Sequence, residues 1–468
     1  MAQYMRTQNE FMLNFNKVDK MKIFKLITLT TLTFLSSLSM QAQQVWTLED
    51  CINHAIENNI SVKRQELNAE SANKTYFQSL MEILPNANAN GNHYLNSGKT
   101  LNTETYQYED ESFQGGSFNI NTEINVFNGL RNLNTIRKNS LDLKSQLQTV
   151  EKVKNDITLN VSTAYLQILL NKELRDNAKE QLDVTLEQIE KTKRLVEIGN
   201  SAKGDLLQIE SQAASEKAAL TSAENNFRIS YLDLSQLLNL DNVENFEILI
   251  PEIPDITLAE DISSAKDVYN EALGFLPQIK SAELMLKSSE RSLAISYGRI
   301  SPSLVFGYQY QSRYNELATN IADPNSSYPY MDQIGDNGSQ VIYLAIRVPI
   351  FNNWQTGNAI SQSKIDLLDS RLYLDLQKQN LYKSIQQART QALAALDNFI
   401  ANSEAVESME EAFRYTEQKY DVGLVDILEY KTAKNQLNKT KSDLAQAKYE
   451  YIFRTKILDF YKGEQIKL

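Results

Sequence analysis

Apolar and polar residues alternate strictly in two regions of the chain. In the first region, Ala87 and Ala89 alternate with Asn86, Asn88 and Asn90. A polar, turn-rich stretch follows from Leu95 to Ser112. Alternation then resumes, with Phe118, Ile120, Thr122, Ile124 and Val126 on one face and Asn119, Asn121, Glu123 and Asn125 on the other. The second region carries Leu304, Phe306, Tyr308 and Tyr310, then a long loop rich in Asn, Asp, Ser and Gly to Ser339, then Ile342, Leu344, Ile346, Val348 and Ile350. Period two separated by turn residues predicts two hairpins, with strands at about 86–94, 114–127, 303–312 and 340–350. Pro85 and Pro302 stand immediately before them and mark helix-to-strand turns.

Elsewhere the period is helical. From Gly129 to Ile198 there is no proline or further glycine, and Leu143, Leu147, Val150, Ile157, Val161, Ala164 and Ile168 recur at spacings of three, four and seven. Ile360, Leu367, Leu374, Leu381, Ala388 and Ala395 recur at strict sevens, the seam of a coiled coil. Two long helices, 129–198 and 353–422, are predicted, and at 1.5 Å per residue each is ~105 Å long. Four helices of about half that length are predicted at 47–84, 205–240, 265–300 and 426–462, so two short helices end to end match one long one.

The pattern is written twice. Asn53, Ala55, Lys63, Glu66, Ser71 and Pro85 recur 217 positions later as Asn270, Ala272, Lys280, Glu283, Ser288 and Pro302. Phe127, Asn128, Asn134, Ile136, Leu143, Ala164 and Gly199 recur 224 positions later as Phe351, Asn352, Asn358, Ile360, Leu367, Ala388 and Gly423. The chain therefore divides into a first repeat (43–250), a linker with Pro251 and Pro254 (251–264) and a second repeat (265–468).

Four strands cannot close a barrel, and their apolar faces lack a partner sheet in the sequence. Segments of about ten residues, apolar on one face and polar on the other, fit the lipid-out, lumen-in strands of an outer-membrane barrel, where open edges are not tolerated. Tyr94, Tyr106, Tyr108, Phe113, Tyr308, Tyr310, Tyr314, Tyr328 and Tyr330 crowd the strand ends and loops, as an interfacial aromatic belt requires. Two surface hairpins on a helical protein are the competing reading.

Composition narrows the class further. Lys22 and Lys25 precede an uncharged stretch, Leu26 to Leu38, followed by Met40, Gln41 and Ala42; this reads as a secretory signal over 1–42 with the true start at Met21. Its removal takes five basic and two acidic side chains, so a net charge of −12 becomes −15. An acidic exported chain argues against nucleic acid as partner. Cys51 is the one cysteine, so no intrachain disulfide forms, and with His54 and His93 as the only histidines no His-based metal site is expected. No Gly-rich phosphate loop or nucleophile elbow is present, and no His lies near a plausible nucleophile; the expectation is a chain that is not an enzyme and carries no cofactor.

These residues resemble the TolC-type outer-membrane efflux proteins over essentially all of 43–463. The resemblance rests on Thr47-Leu48-Glu49-Asp50-Cys51 with Ala55, on Pro85 and Pro302, on Val126-Phe127-Asn128-Gly129, and above all on Tyr420-Asp421-Val422-Gly423-Leu424-Val425-Asp426-Ile427-Leu428-Glu429. It implies a mostly α fold with a small β part. Four strands per chain of a homotrimer would form a 12-stranded barrel in the outer membrane of a Gram-negative bacterium, continued by a coiled-coil tunnel in the periplasm. It further implies a passive duct of a tripartite efflux or type I secretion system, fed through a periplasmic adaptor by an inner-membrane pump of RND, ABC or MFS type. A secreted periplasmic coiled-coil adaptor without a pore is the alternative. The lack of a Met or His cluster argues against a dedicated soft-metal cargo.

Local mechanism concentrates at the helix-to-helix tips. Gly199 and Gly423 end the long helices where a left-handed residue is needed, and Asp205 with Gln208, and Asp426 with Glu429, form capping-box patterns that restart the chain. Read this way, Asp205 lies six residues past Gly199 but Asp426 only three past Gly423, a second copy three residues shorter, with no arginine between glycine and aspartate in either. By resemblance, Asp205, Asp426 and Glu429 are the carboxylates of the periplasmic entrance, and Gly199, Gly423, Leu424 and Val425 belong to the surface that docks the adaptor. A threefold set of carboxylates in a narrow mouth concentrates negative potential and favours cations.

Overall fold

The computed structural model describes residues 45–101, 106–240, 246–251, 264–320 and 323–467. The expected signal (1–42) and most of the expected linker, including Pro254, lie outside the described residues. Two compact units are present. In the small one, strand β1 (Val45–Trp46) pairs in parallel with β4 (Glu247–Ile248), and the Trp46 and Phe246 rings meet edge to face at 5.6 Å.

The large unit runs through helices α1 (Leu48–Asn58) and α2 (Ile60–Met81), strands β2 (Asn86–Leu101) and β3 (Tyr108–Phe127), then helices α3 (Arg131–Glu197) and α4 (Lys203–Leu238). Its second half repeats the order: helices α5 (Ala265–Phe275) and α6 (Pro277–Gly298), strand β5 (Ser303–Asn315), a small pair β6 (Thr319–Asn320) and β7 (Asp323–Ser327), helix α7 (Tyr330–Asp336), strand β8 (Ser339–Arg347), and helices α8 (Gln355–Asp421) and α9 (Ile427–Lys462). The one sheet in this unit with four strands has the order β2-β3-β5-β8, antiparallel throughout.

Where the periodicity predicts single helices over 47–84 and 265–300, the chain breaks both. Asn59 leaves helical geometry, its Oδ1 accepts from Ser61 N–H at 2.8 Å, and its Nδ2 donates to the Leu237 carbonyl at 2.8 Å. The equivalent break follows Leu276, where Pro277 opens α6 as its first residue. Proline has no N–H to lose at that position, and its ring cannot continue the preceding turn. Apolar periodicity runs through both breaks because the two pieces bury the same stripe, so the pattern alone does not reveal them.

The long helices hold the unit together. Along α3, Lys138–Asp142, Lys152–Asp156 and Lys172–Asp176 form ion pairs one turn apart at 2.6–2.9 Å, each contributing about 0.3–0.5 kcal/mol. Val150, Ile157, Val161, Tyr165, Ile168 and Leu169 are its buried stripe; Leu147, which the spacing placed on the seam, is exposed. On α8, Leu374, Leu381, Ala388 and Ala395 of the strict heptad are buried, and Leu374, Leu381 and Ile385 pack with Val268 of α5, Ile279 of α6 and Leu276 at the break between them. Hydroxyl pairs Ser145–Ser281 at 2.9 Å and Ser296–Ser363 at 2.7 Å let α6 approach both long helices closely.

The repeat is regular to the residue. Each of α1 and α2 reappears 217 positions later as α5 and α6, and each of α3 and α4 reappears 224 positions later as α8 and α9. The strand exits repeat too, with Gly129-Leu130 and Asn353-Trp354 both in left-handed conformation. At Gly129 an added Cβ would lie 2.3 Å from the Gly298 carbonyl oxygen, so only glycine lets the exit turn pass against α6.

Candidate functional site

At the tip end, α3 and α8 terminate in the same way. The Gly199 N–H reaches the Val196 carbonyl at 3.0 Å and the Asn200 N–H the Leu195 carbonyl at 2.7 Å; Gly423 and Leu424 repeat this onto Tyr420 and Lys419 at 3.0 and 2.8 Å. This double closure needs a left-handed residue at its centre, and Gly199 (φ +82°) and Gly423 (φ +75°) supply it.

The restart differs from the sequence reading. Asp426 precedes α9 as its cap, its Oδ1 accepting from the Glu429 N–H at 2.8 Å. Asp205 does not cap α4. That place is held by Ala202, and Asp205 is the third helical residue, its carboxylate accepting from the Ala202 N–H at 3.2 Å and the Ser201 hydroxyl at 3.0 Å. The position equivalent to Asp205 is therefore Glu429, and that equivalent to Asp426 is Ala202. No residues are missing from the second tip, because the offset of 224 continues unbroken; Asp205 and Asp426 stand at non-equivalent positions, which is why the second tip looks shorter from aspartate to aspartate. Asp426 and Glu429 are exposed and Asp205 is half-buried; Leu424 is exposed and Val425 half-buried.

Near the tips the hairpins are tied together by an ion pair and an apolar cluster. Lys191 on α3 forms an ion pair with Asp421, the last residue of α8. Ile209, Ile427 and Tyr430 form a buried cluster with Ile189, Phe413 and Tyr420, the Tyr420 and Tyr430 rings 4.8 Å apart.

Farther from the tip lies a polar clasp that the sequence reading did not find. Lys434 on α9 donates to Thr185 Oγ1 at 2.5 Å and to the Gln181 carbonyl at 3.1 Å, both on α3. The Thr185 hydroxyl in turn donates to Glu216 on α4, which also accepts from Gln181 and Gln212 at 2.9 Å each. Lys434 and Glu216 are 4.0 Å apart. Burial holds the Lys434 pKa below the ordinary lysine value, while the Glu216 and Glu417 carboxylates pull it partly back.

At the sheet end, the register sorts side chains into two faces. Ala89, Ile120 and Tyr310 are cross-strand partners in one row, and Ala87, Thr122, Tyr308 and Ile342 in another. Ile342 and Ile346 on β8 are each 70% exposed, an apolar face that no other described residue covers. The other face carries Asn90, Asn119, Gln311 and Ser339 in one row and Asn88, Asn121, Gln309 and Val341 in the next. Among the described residues, the outer edges of β2 and β8 pair with no strand. The structure places Pro85 and Pro302 between α2 and β2 and between α6 and β5, where each chain segment turns from helix into this sheet.

The described residues thus join an amphipathic, open-edged sheet to two long helix hairpins. The chain belongs to the outer membrane efflux protein family, whose profile matches residues 51–240 and 268–459. It is 22% identical to outer membrane protein TolC of Vibrio cholerae over 413 residues, covering 87% of this chain and 89% of that one. It is 20% identical to the outer membrane efflux protein BepC of Brucella suis, covering 77% and 74%. Its fold matches the crystal structure of CusC with a TM-score of 0.74 at 16% identity, covering 89% of this chain and 92% of that one. It matches the Vibrio cholerae outer membrane protein VceC with a TM-score of 0.72 at 14% identity, covering 89% and 96%. The chain is a TolC-type channel protein of the outer membrane, not an enzyme.

Proposed function

We propose that this chain is the exit duct of a tripartite efflux or type I secretion system. Three copies pair β8 of one with β2 of the next into a 12-stranded barrel, and their helices continue as a periplasmic tunnel. The observation that carries this reading is the four-stranded sheet whose two edges pair with no strand among the described residues and whose apolar face is exposed: in lipid every strand edge must be paired, and three such sheets are the number that the twelve-strand reading requires. Asp205, Asp426 and Glu429 form the entrance set of carboxylates; Gly199, Gly423, Leu424 and Val425 shape the turns that meet a periplasmic adaptor, and an inner-membrane pump of RND, ABC or MFS type supplies the cargo. Passage is passive, so the duct needs no cofactor.

Expression in a Gram-negative host followed by fractionation and planar-bilayer recording tests this reading. A trimer in the outer-membrane fraction that conducts ions supports it. Recovery as a soluble periplasmic monomer would overturn it and favour a pore-less coiled-coil adaptor.

A further inference from the structure

The carboxamide face of the sheet carries one carboxylate in its middle rows, and its setting is unusual. Asn86, Glu123, Gly307 and Tyr343 are successive cross-strand partners on β2, β3, β5 and β8. Tyr343 and Glu123 are thus two strands apart, too far to touch if an ordinary side chain stood between them. Gly307 leaves that space clear: a Cβ there would lie 2.2 Å from the Tyr343 ring. The ring lies across β5, and its hydroxyl donates to Glu123 Oε1 at 2.6 Å. A phenol donating to a carboxylate is a charge-assisted bond, which fixes the acceptor.

On one side the neighbouring rows hold Asn88, Asn121, Gln309 and Val341, then Asn90, Asn119, Gln311 and Ser339; on the other the adjacent row holds Asn125, Val305 and Ala345, all uncharged. Among the described residues, the nearest other charges on this face are Arg347, four residues along β8 from Tyr343, and Arg313, six residues along β5 from Gly307. At about 3.3 Å per residue these lie ~13 and ~20 Å away along the strands, beyond the screening length of about 8 Å at physiological salt. Each Glu123 charge therefore dominates its own level of the bore. Neutral carboxamides around it provide hydrogen bonds for any solute but no counter-charge.

We propose that Glu123, pinned by Tyr343 across Gly307, is a cation-selecting residue of the barrel, three copies forming a carboxylate ring at the outer-membrane level that is separate from the tip carboxylates. This rests on the trimeric duct reading. Rings of acidic side chains select cations by raising their local concentration and excluding anions. The ring meets cations arriving from the extracellular side before the tips do.

The test uses the full trimer in planar bilayers, with hexaamminecobalt(III) added from one side at a time and reversal potentials taken in a KCl gradient. Glu123→Gln keeps an acceptor for Tyr343 and removes the charge. It is expected to weaken extracellular-side block about tenfold and to shift the reversal potential toward zero, while periplasmic-side block changes little. Tyr343→Phe keeps the charge and frees it, and is expected to retain the sign of the selectivity with weaker block. If both variants only lower trimer stability and leave block and reversal potential at wild-type values, the pair is a structural tether and the inference fails while the duct reading stands. A wild-type protein that does not conduct overturns both.

Discussion

Lys434 and Glu216 face each other at 4.0 Å from different helix hairpins, their side chains only 6% and 4% exposed. Removing one member of a buried charged pair strands the other, which typically costs 3–5 kcal/mol, whereas replacing both with apolar groups is often close to neutral. Lys434→Met is therefore expected to destabilise the hairpin pair by about 3 kcal/mol, and Lys434→Met with Glu216→Leu to recover most of it. Thermal unfolding of the detergent-solubilised protein, followed by circular dichroism, checks the order of the three stabilities.

The same lysine sets a pH dependence. Its folded pKa lies below the ordinary value because it is buried, and in the unfolded chain it holds its proton to about 10.4. Between those two values the unfolded state binds more protons, so this group makes stability rise with pH through that window. Buried Tyr165, Tyr430 and Tyr449, whose pKa values are raised chiefly by burial, act in the opposite sense as pH passes their unfolded range near 10. The wild type minus Lys434→Met difference cancels the tyrosines. That difference should grow more favourable to the wild type as pH is raised from neutrality toward 10; a flat difference would show that Lys434 titrates normally.

At the tips, cap and charge are separable. An added methyl at Gly199 or Gly423 meets no atom within 4 Å, so Gly→Ala there costs only left-handed strain, roughly 1–2 kcal/mol, expressed as faster amide exchange in the last turns of α3 or α8. Asn caps a helix as well as Asp does, so Asp426→Asn should leave exchange in the first turn of α9 unchanged while Asp426→Ala speeds it, a loss of about 1 kcal/mol. Paired with Glu429→Gln, Asp426→Asn should weaken multivalent-cation block from the periplasmic side. Unchanged block would assign these carboxylates to capping alone.

Cys51 on α1 is fully buried, and burial, followed by the adjacent Asp50 charge, pushes its thiol pKa up to about 12. The thiolate is the reactive species. A maleimide probe at pH 7 should leave native protein unlabelled and label it once denatured; rapid native labelling would mean that α1 opens readily.

Much of the fold class was legible because each element carries its own period. The Asn-rich alternation at 86–90 and 119–125 marks sheet, and the sevens from Ile360 to Ala395 mark a coiled coil. What was illegible depends on neighbours distant in sequence. The break at Asn59 is held in part by the Leu237 carbonyl, and only Pro277 in the second copy gave a local sign of it. Lys434 falls at the spacing of Ile427, Tyr430 and Leu437, an apolar stripe; a lone lysine there reads as a solvated face until Glu216 and Thr185 arrive from other helices. At the tips, matching Asp205 to Asp426 by residue type misled, since backbone position pairs Asp205 with Glu429. The Glu123–Tyr343 bond was hidden because its bridging residue, Gly307, contributes no side chain.

In the proposed duct this sheet is completed by identical neighbours. Within one chain β2 and β8 are three strand spacings apart, ~14 Å, beyond the roughly 7 Å that a disulfide can span. Any bond between a cysteine introduced on β2 and one on β8 must therefore join two molecules. With Cys51 replaced by Ala, a scan of such pairs in intact outer membranes, oxidised and run on denaturing gels, should yield at least one register that converts the protein to a closed trimer and nothing larger. Monomers at every register, or a ladder extending past three, would contradict the account.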